Sequence, residues 1–223
     1  FRRVLFRSLG KLRSTVFCQR LVQAMYIPTK FLEEDRAILY GIIGRYDFGL
    51  LVGETDDGPV ATHLPFQLEG DVLVSHMARA NPHWEFFAAG KEVLAIFQGP
   101  HCYVSPRWYE STPAVPTWNY VAVHAYGVPE IIESLDSVED SQAALVDHYE
   151  QGAWRLKDQP DDYVTGMSRA IVSFRIPISR VEGKFKLSQN RTAEDRRRVI
   201  AELEKSDDPL ARDVAALMIR RGC

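Results

Sequence analysis

Residues 182 to 188 alternate in character. Phe185 and Leu187 share one parity, while Lys184, Lys186 and Ser188 share the other, so an extended chain buries the apolar pair and turns both amines the opposite way. The amines then face either water or an anion. Thr192 follows as a helix N-cap, with Glu194 and Asp195 in the first turn near the positive end of the helix dipole. The polar corner "SQN" is held between a strand and a helix.

The same reading applied upstream gives a β-rich chain. "FLEEDRAILY" (31–40) has helical period and is closed by Gly41, after which "FGLLVGET" and "VATHLPFQLEG" form a hairpin across "DDGP". "DVLVSHMAR" adds a third strand after the turn at Gly70 and Asp71. A short helix over "NPHWEFFAAG" takes Asn81 as N-cap, Pro82 at its first position and Gly90 as its stop. "KEVLAIFQG", "CYVSP" and "TWNYVAVHAYGVPEIIE" return to β character, and "SVEDSQAALVDHYEQGAW" is helical. "AIVSFRIPIS" and "EGKFKLS" are strands, and Thr192 to Arg221 is mostly helix with a break at "SDDPL". Six or more short strands without regular βαβ alternation predict a closed antiparallel barrel with helices outside.

Length and charge narrow the picture. A chain of 223 residues buries one substantial core, and no internal repeat or long linker divides it. The formal net charge is −3, and residues 1–24 hold six Lys or Arg and no acid, so the rest of the chain carries −9. Any DNA contact is then confined to a local patch, and "RRR" (196–198) and "RR" (220–221) read first as solvated helix faces. Residues 1–24 are read as a leader foreign to the fold, with Met25 as the natural start; a transit peptide is the alternative. No apolar run is long enough to span a membrane, and Cys18, Cys102 and Cys223 lack metal-ligand spacing, which predicts a reduced cytoplasmic protein.

Signatures of serine hydrolases, P-loop NTPases and zinc enzymes are missing, and no residue declares itself a catalytic acid or base. His63, His76, His83, His101, His124 and His148 are scattered singly and read as polar aromatics rather than metal ligands. Strand ends are more informative. "THLPF", "SHMARAN", "YVSPRWYE", "VPTWNY" and "KLSQN" each combine a hydroxyl, amide or cation with an aromatic or apolar neighbour, the mixture that a flat heteroaromatic with an anionic tail requires. Arg79 ahead of the Asn81 cap places a guanidinium and helix N–H groups within reach of one phosphate; a solvated arginine and a plain cap fit equally well. Trp108, Trp118 and Tyr120 serve either as core and interface aromatics or as cofactor walls.

"MYIPTKF", "THLPF", "SHMARAN", "FQGPHCYVSPRWY", "VPTWNYVAVHAYG" and "KLSQNR" together resemble the PaiB-type transcriptional regulators, FMN-binding negative regulators related to the pyridoxamine phosphate oxidase split barrels. The likeness runs in order from Met25 to about Arg221. It implies a mainly β fold: a six-stranded antiparallel FMN-binding split barrel over 25–191, with a helical segment at 192–223 packed outside. It also implies a homodimer with two FMN sites across the subunit interface. Carried over to this chain, the pocket takes His63 and Leu64, then Ser75, His76, Arg79 and Asn81, then Trp118 and Asn119, and finally Lys186, Ser188 and Gln189. A repressor is the function implied. A flavin-dependent oxidoreductase, or a haem-binding protein, on the same barrel is the alternative.

Overall fold

The computed structural model describes residues 25–55 and 57–222; the leader, Cys18, Cys223 and Asp56 of the hairpin turn lie outside the described residues. In chain order the strands are β1 (Leu32–Glu33), β2 (Phe48–Thr55), β3 (Gly58–Glu69), β4 (Val72–Ala78), β5 (Val93–Val104), β6 (Thr117–Gly127), β7 (Glu130–Ile131), β8 (Ile171–Pro177) and β9 (Arg180–Lys186). All pairings are antiparallel, in the order β1-β9-β6-β5-β2-β3-β4-β8-β7. The expected six strands are thus an undercount. Among the described residues there are seven of seven residues or more, and the two-residue β1 and β7 at the edges are too short for any periodicity to mark them.

The strand order is open, with no β8–β9 pairing among the described residues where a closed barrel was expected; what brings its ends together is the chain link from β8 to β9, strands at opposite ends of the long seven. Only Ile178 and Ser179 separate them. The Ile178 amide donates to the Asp71 carbonyl (2.8 Å) and the Ser179 amide to the Tyr126 carbonyl (2.9 Å), so both flanks of the seam are tied. Phe66, Phe97, Phe174 and Phe185 fill the interior with Leu51, Leu73, Val121 and Ile176, all buried. Each such side chain stabilises the fold by about 1.5–3 kcal/mol relative to exposure.

Helices plug and flank the barrel. α1 (Arg36–Arg45) starts five residues later than the periodicity predicts, because Leu32 and Glu33 pair with Lys184 and Gly183 of β9 and Asp35 then caps the Ala37 and Ile38 amides. It also runs through Gly41: a helical glycine costs about 1 kcal/mol, less than the burial of Leu39, Ile42 and Ile43 returns. The short 3-10 helix Pro82–Ala89 has the expected Asn81 cap and Gly90 stop, the latter at φ +60°. "KEVLAIFQG" and "CYVSP" belong to one strand, β5, with a bulge between Gln98 and His101. α2 (Leu135–Glu150) matches its expectation, whereas α3 (Asp161–Arg169) is an element that the sequence reading lacked. α4 (Ala193–Glu204) and α5 (Pro209–Arg220) form the predicted interrupted helix, with α5 against β5 and α4 against α5. The fully buried Asp195 of α4 accepts bonds from the Glu110 amide (2.8 Å) and from the amide and hydroxyl of Ser111, which pins the β5–β6 connection to the helix.

Gly127 at the end of β6 marks the tightest point of the seam. A Cβ there would collide with the Pro177 carbonyl oxygen and lie 2.6 Å from Ile176 Cγ2. Gly127→Ala should therefore destabilise the protein by about 1–3 kcal/mol in urea unfolding, the usual cost of overpacking. Unchanged stability would show that the seam has slack.

Candidate functional site

The sequence-predicted residues fall into two groups. The first lies on β3, β4 and the 3-10 helix. Thr62 Oγ1 sits at its centre, 3.3 Å from Asn81 Nδ2, which donates to it, and 2.9 Å from His83 Nδ1. Asn81 Oδ1 accepts the His83 amide (3.0 Å), so a single side chain caps the helix and reaches β3. Arg79 is turned toward the junction of α3 and β8: Nε donates to the Arg169 carbonyl (2.9 Å) and Nη2 to the Ile171 carbonyl (2.8 Å). Trp84 Nε1 in turn donates to the Arg79 carbonyl.

Strand alternation divides the rest of this group. His63 is on the outer face, stacked 6.1 Å from the 66% exposed Phe48, whereas Leu64 is buried in the core. Ser75 is likewise buried and donates to the Pro65 carbonyl (2.7 Å), while half-buried His76 lines a cavity of about 10 Å³ with Ser141 and Gln142 of α2. Burial lowers the His76 pKa. Neighbours in a strand cannot share one pocket face. Leu64 and Ser75 back the wall that His63 faces away from.

The second group occupies the β6–β9 corner. Trp118 is 53% exposed on the outer face, edge-on to Tyr103 (6.2 Å) and tilted over His101 (6.3 Å). Lys186 Nζ donates to the Trp118 carbonyl (2.6 Å) and to Thr117 Oγ1. Burial, and then the positive charges of Lys184 and Arg191, lower the Lys186 pKa. Among the described residues none of these three cations has an acidic partner. An anion bound there would relieve their mutual repulsion.

Behind this corner the "SQN" residues do structural work. Asn119 and Ser188 are both buried and bonded to each other, with Asn119 Nδ2 2.9 Å from Ser188 Oγ and 3.6 Å from Met218 Sδ of α5. Gln189 folds back on its own strand end, accepting from the Leu187 amide (2.7 Å) and donating to the Phe185 carbonyl (2.6 Å). Ser188 has φ +65°, a left-handed conformation that turns the chain from β9 toward α4.

Among the described residues no hydrogen bond or ring contact joins the two groups, and along the strand order β2 and β5 lie between β3 and β6. Outside the sequence-predicted pocket residues, His83, His101, Tyr103 and Arg191 join the groups through register and packing, as does Lys184, whose amine the alternation already turned toward water or an anion.

An aromatic shelf beside three cations without acidic partners, on an all-antiparallel sheet, suits a protein that binds a flat ring with an anionic tail, such as a flavin. The family described as "Putative FMN-binding domain" matches residues 25–180, and the chain belongs to it. It is 35% identical over 205 residues to "Protease synthase and sporulation protein PAI 2" of Bacillus subtilis, covering 87% of this chain and 96% of that protein. Among solved structures it is similar to an FAD- and haem-binding protein of Mycobacterium smegmatis, with TM-score 0.59, 18% identity and coverage of 74% and 78% of the two chains. The flavocytochrome Anf3 of Azotobacter vinelandii aligns with TM-score 0.58 and 19% identity over 73% of this chain and 70% of that one. These two likenesses establish the fold.

The Asn119–Ser188 pair gives a test of the corner. Ser188→Ala leaves a buried amide without its partner and keeps the left-handed backbone, so it should destabilise by about 1–3 kcal/mol in urea unfolding. Ser188→Gly should lose less, because glycine adopts φ +65° without strain. The reverse ranking would remove the left-handed turn from this account.

Proposed function

We propose that the protein is a cytoplasmic, FMN-binding negative transcriptional regulator of the PaiB type that works as a homodimer. The observation that carries this reading is the 35% identity to PAI 2 across nearly the whole of that protein. The separation of the two groups supports the dimer: each has half of what a flavin needs, and a second subunit supplies the other half. In this arrangement the 3-10 helix start and Arg79 of one subunit face the Trp118 and Lys186 corner of the other. Arg79 and Lys186 would hold the phosphate, and Trp118 would lie beside the ring.

FMN supplies a redox-active, coloured ring when bound. The chain's own residues orient it: Lys186, Lys184 and Arg191 attract the phosphate, while Trp118 and Tyr103 offer apolar surface to the ring. Three of the five arginines in the two runs have acidic partners. Arg197 and Arg198 pair with Glu194, Arg198 also reaches Glu110, and Arg221 pairs with Glu33. DNA contact is accordingly local. Among the described residues no helix is long and apolar enough to cross a membrane.

Titrating FMN and riboflavin in parallel separates phosphate from ring. Lys186→Ala should weaken FMN about ten- to a hundredfold, the loss of a charge-assisted hydrogen bond, with a much smaller effect on riboflavin. Arg79→Ala should do the same, and Trp118→Ala should weaken both ligands alike. Equal losses for both ligands in the Lys186 variant, with the fold intact by circular dichroism, would place the phosphate elsewhere. Steady nicotinamide oxidation by the flavin-loaded protein, without a salt-sensitive DNA complex, would turn the assignment to the oxidoreductase.

A further inference from the structure

His83 is 1% exposed, and its two ring nitrogens have different surroundings. Nδ1 is bonded to Thr62 Oγ1, whereas Nε2 has no partner. Nε2 faces Gly53 of β2 so closely that an added Cβ would lie 2.7 Å from it, which leaves no room for a water between them. A neutral imidazole tolerates this with one unpaired nitrogen. An imidazolium must donate from both nitrogens and finds no acceptor on the Gly53 side.

No neighbouring charge compensates for protonation. On the elements packed around the ring, Glu54 of β2, Glu69 of β3 and Glu85 of the 3-10 helix are exposed, and His63 of β3 is on the outer face. Arg79 of the helix entrance is bonded to the Arg169 and Ile171 carbonyls, and Arg175 of β8 pairs with Glu130. Phe87 lies 5.8 Å from the imidazole and packs on Phe174. Burial is what lowers the His83 pKa.

We propose that His83 is an acid-sensitive latch: the neutral ring holds the Pro82–Ala89 helix against β2 and β3, and its protonation releases that helix together with Asn81 and Thr62. Because these two residues lie in the first group, opening also lowers FMN affinity, a consequence that rests on the flavin reading above. The sign follows from linkage. In the open helix His83 titrates near its ordinary ~6.5, while in the closed one it titrates lower, so the open form binds more protons between these values. Each pH unit below about 6.5 therefore multiplies the opening equilibrium up to about tenfold, until the lowered pKa is reached.

Hydrogen exchange on the flavin-free full chain, corrected for intrinsic rates, reads the latch directly. Protection over 83–90 should fall up to about tenfold per pH unit below 6.5 in the wild type and stay level in His83→Gln. His76→Gln and His124→Gln, which alter the other two histidines with burial-lowered pKa values, should keep the wild-type fall. Gly53→Ala presses a methyl group onto Nε2 and should reduce protection already at pH 7.5; this variant decides the matter if His83→Gln does not fold. An undiminished fall in His83→Gln, or full protection in Gly53→Ala, would overturn the latch. FMN titration at pH 7.5 and 5.5 tests the coupling separately: affinity that drops in the wild type but not in His83→Gln supports it, and affinity independent of pH overturns it. Failure to bind FMN at either pH would refute the flavin reading, with the latch still judged by exchange.

Discussion

The two-residue link between β8 and β9 governs the arrangement of everything else. Two residues join strands at opposite ends of a seven-strand series, and the seam admits no side chain at Gly127. The curled sheet has one interior, filled by phenylalanines and aliphatic side chains, and one outer surface on which alternate residues of β2, β3, β5, β6 and β9 are displayed. The strand order sets β3 and β6 apart with two strands between them. The distribution of polar residues follows from it.

Burial and hydrogen bonding assign different tasks within each group. Asn119, Ser188, Ser75 and Leu64 turn inward and hold the frame, whereas Trp118, Lys186 and His63 turn outward or lie at the rim. Lys186 is the most telling of these. Its ammonium accepts a burial cost and the repulsion of two further cations, with a backbone carbonyl and a hydroxyl as compensation. An anion nearby would relieve both the burial cost and the repulsion. The cation cluster, the exposed aromatics and the family relationship all favour a phosphate-bearing flavin.

Much of the fold was legible in the sequence because it rests on local chemistry. The parity of Phe185 and Leu187, the Asn81, Pro82 and Gly90 punctuation and the Thr192 cap each act within a few residues, and each appears as expected. Features set by tertiary pairing were not legible. The late start of α1 depends on β1 pairing with a strand about 150 residues away, and α3 was missed because its apolar residues stay largely exposed, with Ser168 its one buried position. The candidate site was legible as a set of segments but not as a geometry. Whether Ser75 or His76 faces a ligand is decided by register, and which segments meet is decided by strand order, neither of which a single strand end records.

A flavin site shared between subunits is the central claim, and mixed dimers test it most directly. Arg79→Ala and Lys186→Ala chains, each impaired alone, can be co-expressed with different tags and the heterodimer isolated for FMN titration. In a shared site one of the heterodimer's two pockets takes its Arg79 and its Lys186 from unaltered positions, so one FMN should bind with wild-type affinity per heterodimer. If each pocket were built from a single chain, every site would carry one substitution. Weak binding at both sites of the heterodimer would contradict the account.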